Sequence, residues 1–260
     1  MSAQRAGTLE GAAAFVTGAS RGLGQASALA LAEAGADLAL AATNAGALEE
    51  LAGRVREMGR RAVVCPFDLQ EAGAAREAVD RAEEELGRLD IVVNAAGYCL
   101  RSPTLDVSDE ELHHSFAVNV YGPYHVCRAA APHMQKPEVR KAGGGRIVNF
   151  GSVAGVRGRA DLSVYGPSKA AVMNLTQHLA IEWAPVGIRV NAISPGQFDT
   201  DMGLPLREDP GMLEAYLKRV PLSRMALPKE IGPLVVYLSS EESAFMTGSV
   251  LTIDGGLTIL

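Results

Sequence analysis

Short apolar runs recur along the chain, and segments long enough to form helices separate them. Apolar runs of this length without a polar side are typical of strands covered on both faces, as in a parallel sheet. We therefore predict seven buried strands. They correspond to residues 12–17, 37–41, 61–65, 89–93, 145–150, 188–193 and 249–253.

The segments between the runs carry apolar residues at helical spacing. Such residues recur every three or four positions within 48–58 and within 75–86, which places them on one helical face. Gly35, Gly59 and Gly87 stand where three helices should end, because glycine adopts the left-handed cap conformation without a Cβ clash. Strands that alternate with helices imply right-handed crossovers. We predict an α/β fold: a single doubly wound parallel sheet with helices on both faces, in one domain over residues 1–260.

Residues 197–221 interrupt this alternation. The segment contains three prolines and mixes charged residues with methionine and leucine. It follows a predicted strand, and ligands of α/β folds bind beyond the carboxyl ends of strands. We interpret it as a candidate substrate lid, with a plain surface loop as the alternative. Residues 136–145, which contain proline and glycine, are predicted to be a loop inside the domain.

The composition narrows the classes of partner. The 260 residues carry a net charge of −6, so neither nucleic acid nor a membrane surface is an expected partner. Cys65, Cys99 and Cys127 form no C-x-x-C pair, as is usual in a reducing compartment. Residues 1–11 contain no apolar run of a signal peptide, and no segment approaches the ~20 apolar residues of a membrane span. The expected location is the cytoplasm.

A glycine-rich turn lies between the first predicted strand and the following helix. Residues 17–24 read TGASRGLG. The glycines let the backbone turn tightly and approach a ligand, and the amide groups at the start of the helix then face negative charge. The G-x-x-x-G-x-G spacing differs from the G-x-G-x-x-G fingerprint. A purely structural turn is the alternative, but the position after the first strand favours a dinucleotide pyrophosphate.

From about residue 11 to residue 256 the chain resembles the short-chain dehydrogenase/reductase family, whose glycine motif is T-G-x-x-x-G-x-G and whose fold is Rossmann-like. The resemblance implies that Asp68 contacts the adenine ring and that Pro195 and Gly196, with Thr200, hold the nicotinamide amide. Residues 94–97 match the family's N-N-A-G, with Ala95 in place of the second asparagine. The expected cofactor-binding residues are Gly18, Ser20, Arg21, Gly22, Leu23, Gly24, Thr43, Asn44, Asp68, Leu69, Asn94, Ala95, Gly97, Tyr165, Lys169, Pro195, Gly196, Phe198 and Thr200.

The end of the second predicted strand bears on the choice of cofactor. An acid there would bind the ribose 2′-hydroxyl of NAD and repel a 2′-phosphate, but residues 41–44 read AATN. Thr43 and Asn44 can hydrogen-bond phosphate oxygens, and Arg21 in the glycine turn can add positive charge. We predict that NADP(H) is preferred and NAD(H) is possible. The alternative is a solvated Arg21 and a site that accepts either cofactor.

Tyr165 and Lys169 are candidates for the proton transfer that must accompany hydride transfer to a carbonyl. A free phenol has a pKa near ~10, and a nearby cation lowers it toward neutral pH. The four-residue spacing puts both side chains on one helical face, and Pro167 fits if it lies in the first turn. Ser152, thirteen positions before Tyr165 and just after a predicted strand, can donate a hydrogen bond to the substrate's oxygen.

The family resemblance assigns roles to these residues. It implies that Tyr165 is the general acid for reduction and the base for oxidation. Lys169 would lower the pKa of Tyr165 and bind the nicotinamide ribose, and Ser152 would orient the carbonyl. Asn119, in the long helix expected between residues 108 and 132, matches a family asparagine that supports a proton relay through water.

The predicted function is an oxidoreductase that transfers a hydride between NADP(H) and a secondary alcohol/ketone pair. The chain is similar both to 3-oxoacyl-carrier-protein reductases and to gluconate 5-dehydrogenase-like sugar or polyol dehydrogenases, so two substrate classes stay open. Arg157 and Arg159 can attract an anionic substrate or can simply be solvated. A catalytically silent dinucleotide-binding sensor or partner protein is the alternative function. The family also implies a homotetramer.

The histidines do not indicate a metal site. His113 and His114 are adjacent on a predicted helix and so point in different directions, and the others lack H-E-x-x-H or H-x-x-x-H spacing. We therefore expect no metal, and a zinc-dependent dehydrogenase is disfavoured.

Overall fold

A parallel sheet forms the centre of the structure, a computed structural model that describes residues 7–259. The strands are β1 (Ala13–Thr17), β2 (Asp37–Ala42), β3 (Ala62–Pro66), β4 (Ile91–Asn94), β5 (Gly145–Phe150), β6 (Ile188–Pro195) and β7 (Val250–Ile253). Their order in the sheet is β3-β2-β1-β4-β5-β6-β7, and neighbouring strands run parallel. The chain therefore winds outward in both directions from β1 and β4, which confirms the predicted doubly wound fold.

Helices cover both faces of the sheet. In chain order they are α1 (Gly22–Glu33), α2 (Ala45–Glu57), α3 (Ala72–Leu86), α4 (Asp109–Phe116), α5 (Gly122–Met134), α6 (Pro137–Lys141), α7 (Tyr165–Trp183), α8 (Leu204–Glu208), α9 (Pro210–Leu217) and α10 (Gly232–Ser239). Helices α1, α2 and α10 bury side chains such as Leu31 and Val235 against one face. Helices α3, α5 and α7 bury side chains such as Val79 and Val126 against the other.

The predicted helix ends are confirmed by the backbone of three glycines. The φ angle is 108° at Gly35, 77° at Gly59 and 78° at Gly87. These angles lie in the left-handed region that residues with a Cβ rarely adopt. Each glycine therefore turns the chain from a helix toward the next strand.

Two segments contain helices that the sequence pattern does not predict. The expected loop at 136–145 includes α6, and the irregular segment at 197–221 includes α8 and α9. Pro210 is the first residue of α9, where a missing N–H costs nothing. Asp209 caps the same helix, because its carboxylate accepts a 2.9 Å hydrogen bond from the Met212 amide. The prolines therefore start short helices instead of excluding them.

The long helix expected between residues 108 and 132 is interrupted. Helix α4 passes into a π-helical turn, Ala117–Tyr121, before α5 begins. Such turns accommodate one extra residue and change the direction in which side chains point. Asn119 lies in the middle of this turn. Helix α5 then continues past Pro132 to Met134.

None of the helices within residues 7–259 is long and apolar enough to cross a lipid bilayer. Residues 1–6 and residue 260 lie outside the described part of the chain. The signal-peptide expectation for residues 1–11 and the limits of the predicted domain at 1–260 therefore stay predictions.

Candidate active site

A cavity of about 780 Å³ opens at the carboxyl ends of the strands. The connections that follow β1, β4, β5 and β6 form its walls, as expected for a parallel α/β sheet. It contains the glycine turn and most of the predicted site residues. The predicted residues that line it are Gly18, Ser20, Arg21, Gly22, Leu23, Gly24, Thr43, Asp68, Leu69, Ala95, Gly97, Ser152, Tyr165, Lys169, Pro195, Gly196, Phe198 and Thr200.

The glycine turn is closely packed against backbone. A Cβ at Gly18 would lie 2.7 Å from the Cα of Ala96, and a Cβ at Gly24 would lie 2.1 Å from the Gly18 carbonyl oxygen. Arg21, the residue that precedes α1, makes no side-chain hydrogen bond to the first turn of the helix. The first amide groups of α1 therefore remain open toward the cavity, where they can bind an anion.

Tyr165 and Lys169 are held in fixed positions on the first turns of α7. Tyr165 is the first residue of the helix, which puts Pro167 in the first turn as predicted. The Lys169 ammonium donates a 2.9 Å hydrogen bond to the Phe150 carbonyl and lies 6.0 Å from the centroid of the Tyr165 ring. Ser152, directly after β5, turns its hydroxyl back to accept a 3.1 Å hydrogen bond from the Ala154 amide.

Burial controls the ionisation of the tyrosine and the lysine. Desolvation raises the pKa of Tyr165, and a hydrogen bond with Ser152 lowers it only in part. Desolvation also lowers the pKa of Lys169 to about 8. Both shifts favour the neutral forms. The depression of the tyrosine pKa that the Tyr–Lys spacing predicts is therefore outweighed by burial.

Asn119 connects the wall of the cavity to helix α7 without lining the cavity itself. Its side-chain amide donates to the Tyr98 carbonyl at 2.8 Å and to the Ser168 hydroxyl at 3.0 Å, and its oxygen accepts from the Tyr98 amide at 2.8 Å. The Ser168 hydroxyl donates in turn to the Tyr165 carbonyl at 2.7 Å. Asn119 thus fixes the segment after β4 relative to the start of α7.

Two predicted cofactor residues direct their side chains elsewhere. Asn44 caps α2, since its side-chain oxygen accepts a 3.0 Å hydrogen bond from the Ala47 amide. Asn94 is buried beneath the strand end, where its amide donates to Asn149 at 2.9 Å and to the Cys127 sulfur at 3.3 Å. Neither residue lines the cavity. That Asn44 and Asn94 contribute to cofactor binding stays a prediction.

Comparison with known proteins relates this site to a family. The family described as enoyl-(acyl carrier protein) reductase matches residues 18–258. The chain is 39% identical over 260 residues to the oxidoreductase UcpA of Salmonella typhimurium, with 97% of each chain covered. It is 35% identical over 252 residues to gluconate 5-dehydrogenase of Gluconobacter oxydans, with 97% of this chain and 96% of that one covered.

A solved structure of a dehydrogenase is also similar to this chain over nearly its whole length. A gluconate 5-dehydrogenase from Burkholderia cenocepacia in complex with NADP and tartrate matches with a TM-score of 0.91 and 34% identity, and 97% of each chain is covered. The chain belongs to the short-chain dehydrogenase/reductase family. The predicted family is confirmed, and the protein is an oxidoreductase of that family.

The cavity of this short-chain dehydrogenase/reductase also contains residues that the sequence motifs do not reveal. Besides the predicted residues, Cys99 and Arg101 after β4, and Tyr216 and Arg219 in and after α9, line the cavity. These positions belong to no motif. The lid interpretation of residues 197–221 is the only signal that points to two of them. Arg157 and Arg159 also line the cavity.

The remaining charged groups near the glycine turn lie at the outer edge of the cavity. The Arg21 guanidinium is 3.7 Å from the Asp201 carboxylate, and both side chains are largely exposed. Such a pair contributes little to stability and leaves Arg21 free to change partner.

Within residues 7–259, no group of three or more His, Cys, Asp or Glu side chains is arranged to hold a metal ion.

Proposed function

We propose that this oxidoreductase interconverts a secondary alcohol and a ketone, with NADP(H) as the hydride carrier. The observation that carries the proposal is that Ser152, Tyr165 and Lys169 line the same cavity as the glycine turn. A hydride donor bound at that turn and a ketone beside the phenol would share one enclosed space. Such proximity is what a two-substrate reaction requires.

The glycine turn suits a dinucleotide, because Gly18, Gly22 and Gly24 line the cavity without side chains that would keep a ligand from the backbone. The open amide groups of α1 suit the pyrophosphate. Asp68 would contact the adenine, and Pro195 with Thr200 would face the nicotinamide amide. When bound, the nicotinamide supplies or accepts the hydride.

The preference for NADP(H) rests on the absence of a carboxylate at the end of β2 and on the positive charge of Arg21 in the glycine turn. Thr43 lines the cavity there, no carboxylate follows it within residues 41–44, and Arg21 lies at the cavity's outer edge. An arginine can bind a 2′-phosphate through two parallel hydrogen bonds. The Burkholderia relative, which was solved with NADP, supports the same choice.

The proton chemistry is assigned to the chain's own side chains. In reduction, the Tyr165 hydroxyl donates its proton to the carbonyl oxygen as the hydride reaches the carbonyl carbon, and in oxidation it removes that proton. Ser152 donates a hydrogen bond that holds the oxygen beside the phenol. Lys169, with a pKa of about 8, is mostly protonated at neutral pH and stabilises the phenolate. Asn119 is a positioning residue, and its support of a water relay remains a prediction.

The substrate class is open between 3-oxoacyl thioesters and sugar or polyol ketones. The names of the gluconate 5-dehydrogenase relatives favour a sugar acid. We also propose a cytoplasmic homotetramer. Large side chains exposed on and between α4 and α5 support the assembly: they are Leu112, Tyr121 and Tyr124.

Oxidation of NADPH over a panel of keto sugars, keto acids, acyl thioesters and small diketones tests the proposal. We expect turnover with at least one ketone, and a kcat/KM at least about tenfold higher with NADPH than with NADH, because a charge-assisted contact to the 2′-phosphate is lost with NADH. Arg21→Gln should reduce that ratio. Equal kcat/KM values for the two cofactors would overturn the preference. Tight NADPH binding without turnover of any panel member would favour the silent sensor.

A further inference from the structure

The charges that line the cavity are unevenly distributed. The chain as a whole is acidic. Within the described residues, however, the carboxylates on the cavity wall are Asp68 and Asp201, which lie next to proposed cofactor-binding residues in the sequence. Asp201 faces Arg21, and Asp68 accepts hydrogen bonds from the Gln70 amide and side chain at 2.9 and 3.0 Å. Besides Arg21, the cavity wall carries four guanidinium groups, those of Arg101, Arg157, Arg159 and Arg219. We call the part of the cavity lined by these four arginines the substrate end.

Three of these arginines come from different connections. Arg101 follows β4, Arg159 follows β5, and Arg219 follows α9 of the lid segment. The Arg159 guanidinium lies over the ring of Tyr216, 5.8 Å from the ring centroid. Because Tyr216 is only 5% exposed, it is a fixed platform that holds the cation at the cavity wall. We call Arg101, Arg159 and Arg219 the arginine cluster.

The arginine cluster has no anionic partner within the described chain. Among residues 7–259, no carboxylate lies within 4.0 Å of any of its three guanidinium groups. The pKa of Arg159 is lowered by burial first and then by the charges of Arg101 and Arg219. The three cations therefore repel one another at the mouth of a partly desolvated cavity. An anion bound among them would relieve that repulsion.

The arginine cluster lies within reach of the reacting groups. Cys99 lines the same cavity as Lys169, Arg101 and Arg159. Burial raises the pKa of its thiol, and the positive charges of Arg101, Lys169 and Arg159 lower it, so Cys99 lies near both groups. A ligand whose carbonyl sits beside Tyr165 can therefore bring a second group to the cluster within the same cavity.

We propose that Arg101, Arg159 and Arg219 bind an anionic group of the substrate, a carboxylate or a phosphate, while its carbonyl faces Tyr165 and Ser152. The proposal rests on the proposed function, since it concerns the substrate of that site. Guanidinium groups bind both anions through paired hydrogen bonds, so the cluster recognises the chemistry that the two share. Because Arg219 lies within residues 197–221, a bound anion would also tie that segment to the connections that follow β4 and β5.

Matched substrate pairs measure the contribution of the anionic group. The carboxylate pair is 5-keto-D-gluconate and its neutral amide, and the phosphate pair is acetoacetyl coenzyme A and neutral acetoacetyl-N-acetylcysteamine. The ratio of kcat/KM for the anionic member to that for the neutral member is measured with NADPH in wild type, Arg101→Gln, Arg159→Gln and Arg219→Gln. The control is Arg128→Gln, because Arg128 also lies over a tyrosine ring, 5.7 Å from the centroid of Tyr124, but outside the cavity.

We expect at least one ratio to fall about tenfold or more in Arg159→Gln, as for loss of a charge-assisted hydrogen bond, and to stay at the wild-type value in Arg128→Gln. A fall in the carboxylate pair identifies a keto acid, and a fall in the phosphate pair identifies a phosphate-bearing thioester. Ratios that are unchanged in all three cluster variants would overturn the proposal and leave the proposed function intact.

Calorimetric titration of the protein with D-gluconate and with coenzyme A separates the two proposals when turnover is absent. If wild type reduces no member of either pair, the proposed function fails for these substrates. Binding of either anion that is weakened about tenfold in Arg159→Gln, and unchanged in Arg128→Gln, would still support the arginine cluster. Absence of binding by both anions would overturn the cluster proposal.

Discussion

Tyr165→Phe is expected to lower kcat by about 10²–10⁴-fold, the usual contribution of a positioned general acid, while NADPH still binds. The substitution removes one oxygen from a ring that is only 8% exposed, so the packing of α7 is retained. Ser152 and Lys169 keep their own backbone hydrogen bonds. The expected loss is therefore chemical, and it appears in single-turnover measurements of NADPH oxidation at saturating ketone.

A second tyrosine provides the matched control. Tyr124 is 42% exposed and does not line the cavity, so Tyr124→Phe should retain wild-type kcat. Near-normal turnover in Tyr165→Phe would remove the phenol from the proton-transfer step. Loss of NADPH binding in that variant would instead indicate a structural role for the hydroxyl.

Gly24→Ala is expected to lower the free energy of unfolding by about 1–3 kcal/mol, as for an overpacked core, and to weaken NADPH binding. The added Cβ would lie 2.1 Å from the Gly18 carbonyl oxygen and 2.6 Å from the carbonyl carbon. Neither atom belongs to a flexible side chain, so the turn and the start of α1 must separate. Separation moves the amide groups that would face the pyrophosphate. Urea denaturation and NADPH titration by fluorescence measure the two effects.

Gly53→Ala is the control for this variant. Gly53 lies in α2, and a Cβ there would meet no heavy atom within 4 Å. Alanine should stabilise that helix by up to about 1 kcal/mol, because it has the higher helix propensity. If Gly24→Ala matched Gly53→Ala in both stability and cofactor affinity, the close approach at the glycine turn would have no functional consequence.

The parts of the molecule that are predictable from sequence depend on local spacing and burial. Residues 13–16 of strand β1 are all apolar, since Phe15 packs in one layer and Val16 in the other. This two-sided burial is visible as an unbroken apolar run. Tyr165 and Lys169 are neighbours because they lie one turn apart on the same helix. The glycine turn is likewise local to the first strand and helix.

The parts that depend on contacts between distant segments are not predictable in this way. Asn94 is the register partner of Asn149 on β5, and their amides bond to each other, which no single-strand pattern reveals. Asn44, by contrast, makes a local contact: its side chain caps the start of α2. An asparagine directly before a predicted helix can indicate such a cap. Arg101 and Arg219 reach the cavity because of how two connections fold. The residues around Arg101 and Arg219 in the sequence form no motif that indicates this position.

We propose that a hydride passes directly from NADPH to a carbonyl carbon in the cavity beside Tyr165. Reduction of an accepted ketone with each stereoisomer of C4-deuterated NADPH, followed by mass spectrometry and NMR of the product alcohol, tests this transfer. The predicted result is one deuterium on the carbinol carbon from one of the two stereoisomers. Consumption of NADPH that yields an alcohol without deuterium from either stereoisomer would contradict the claim.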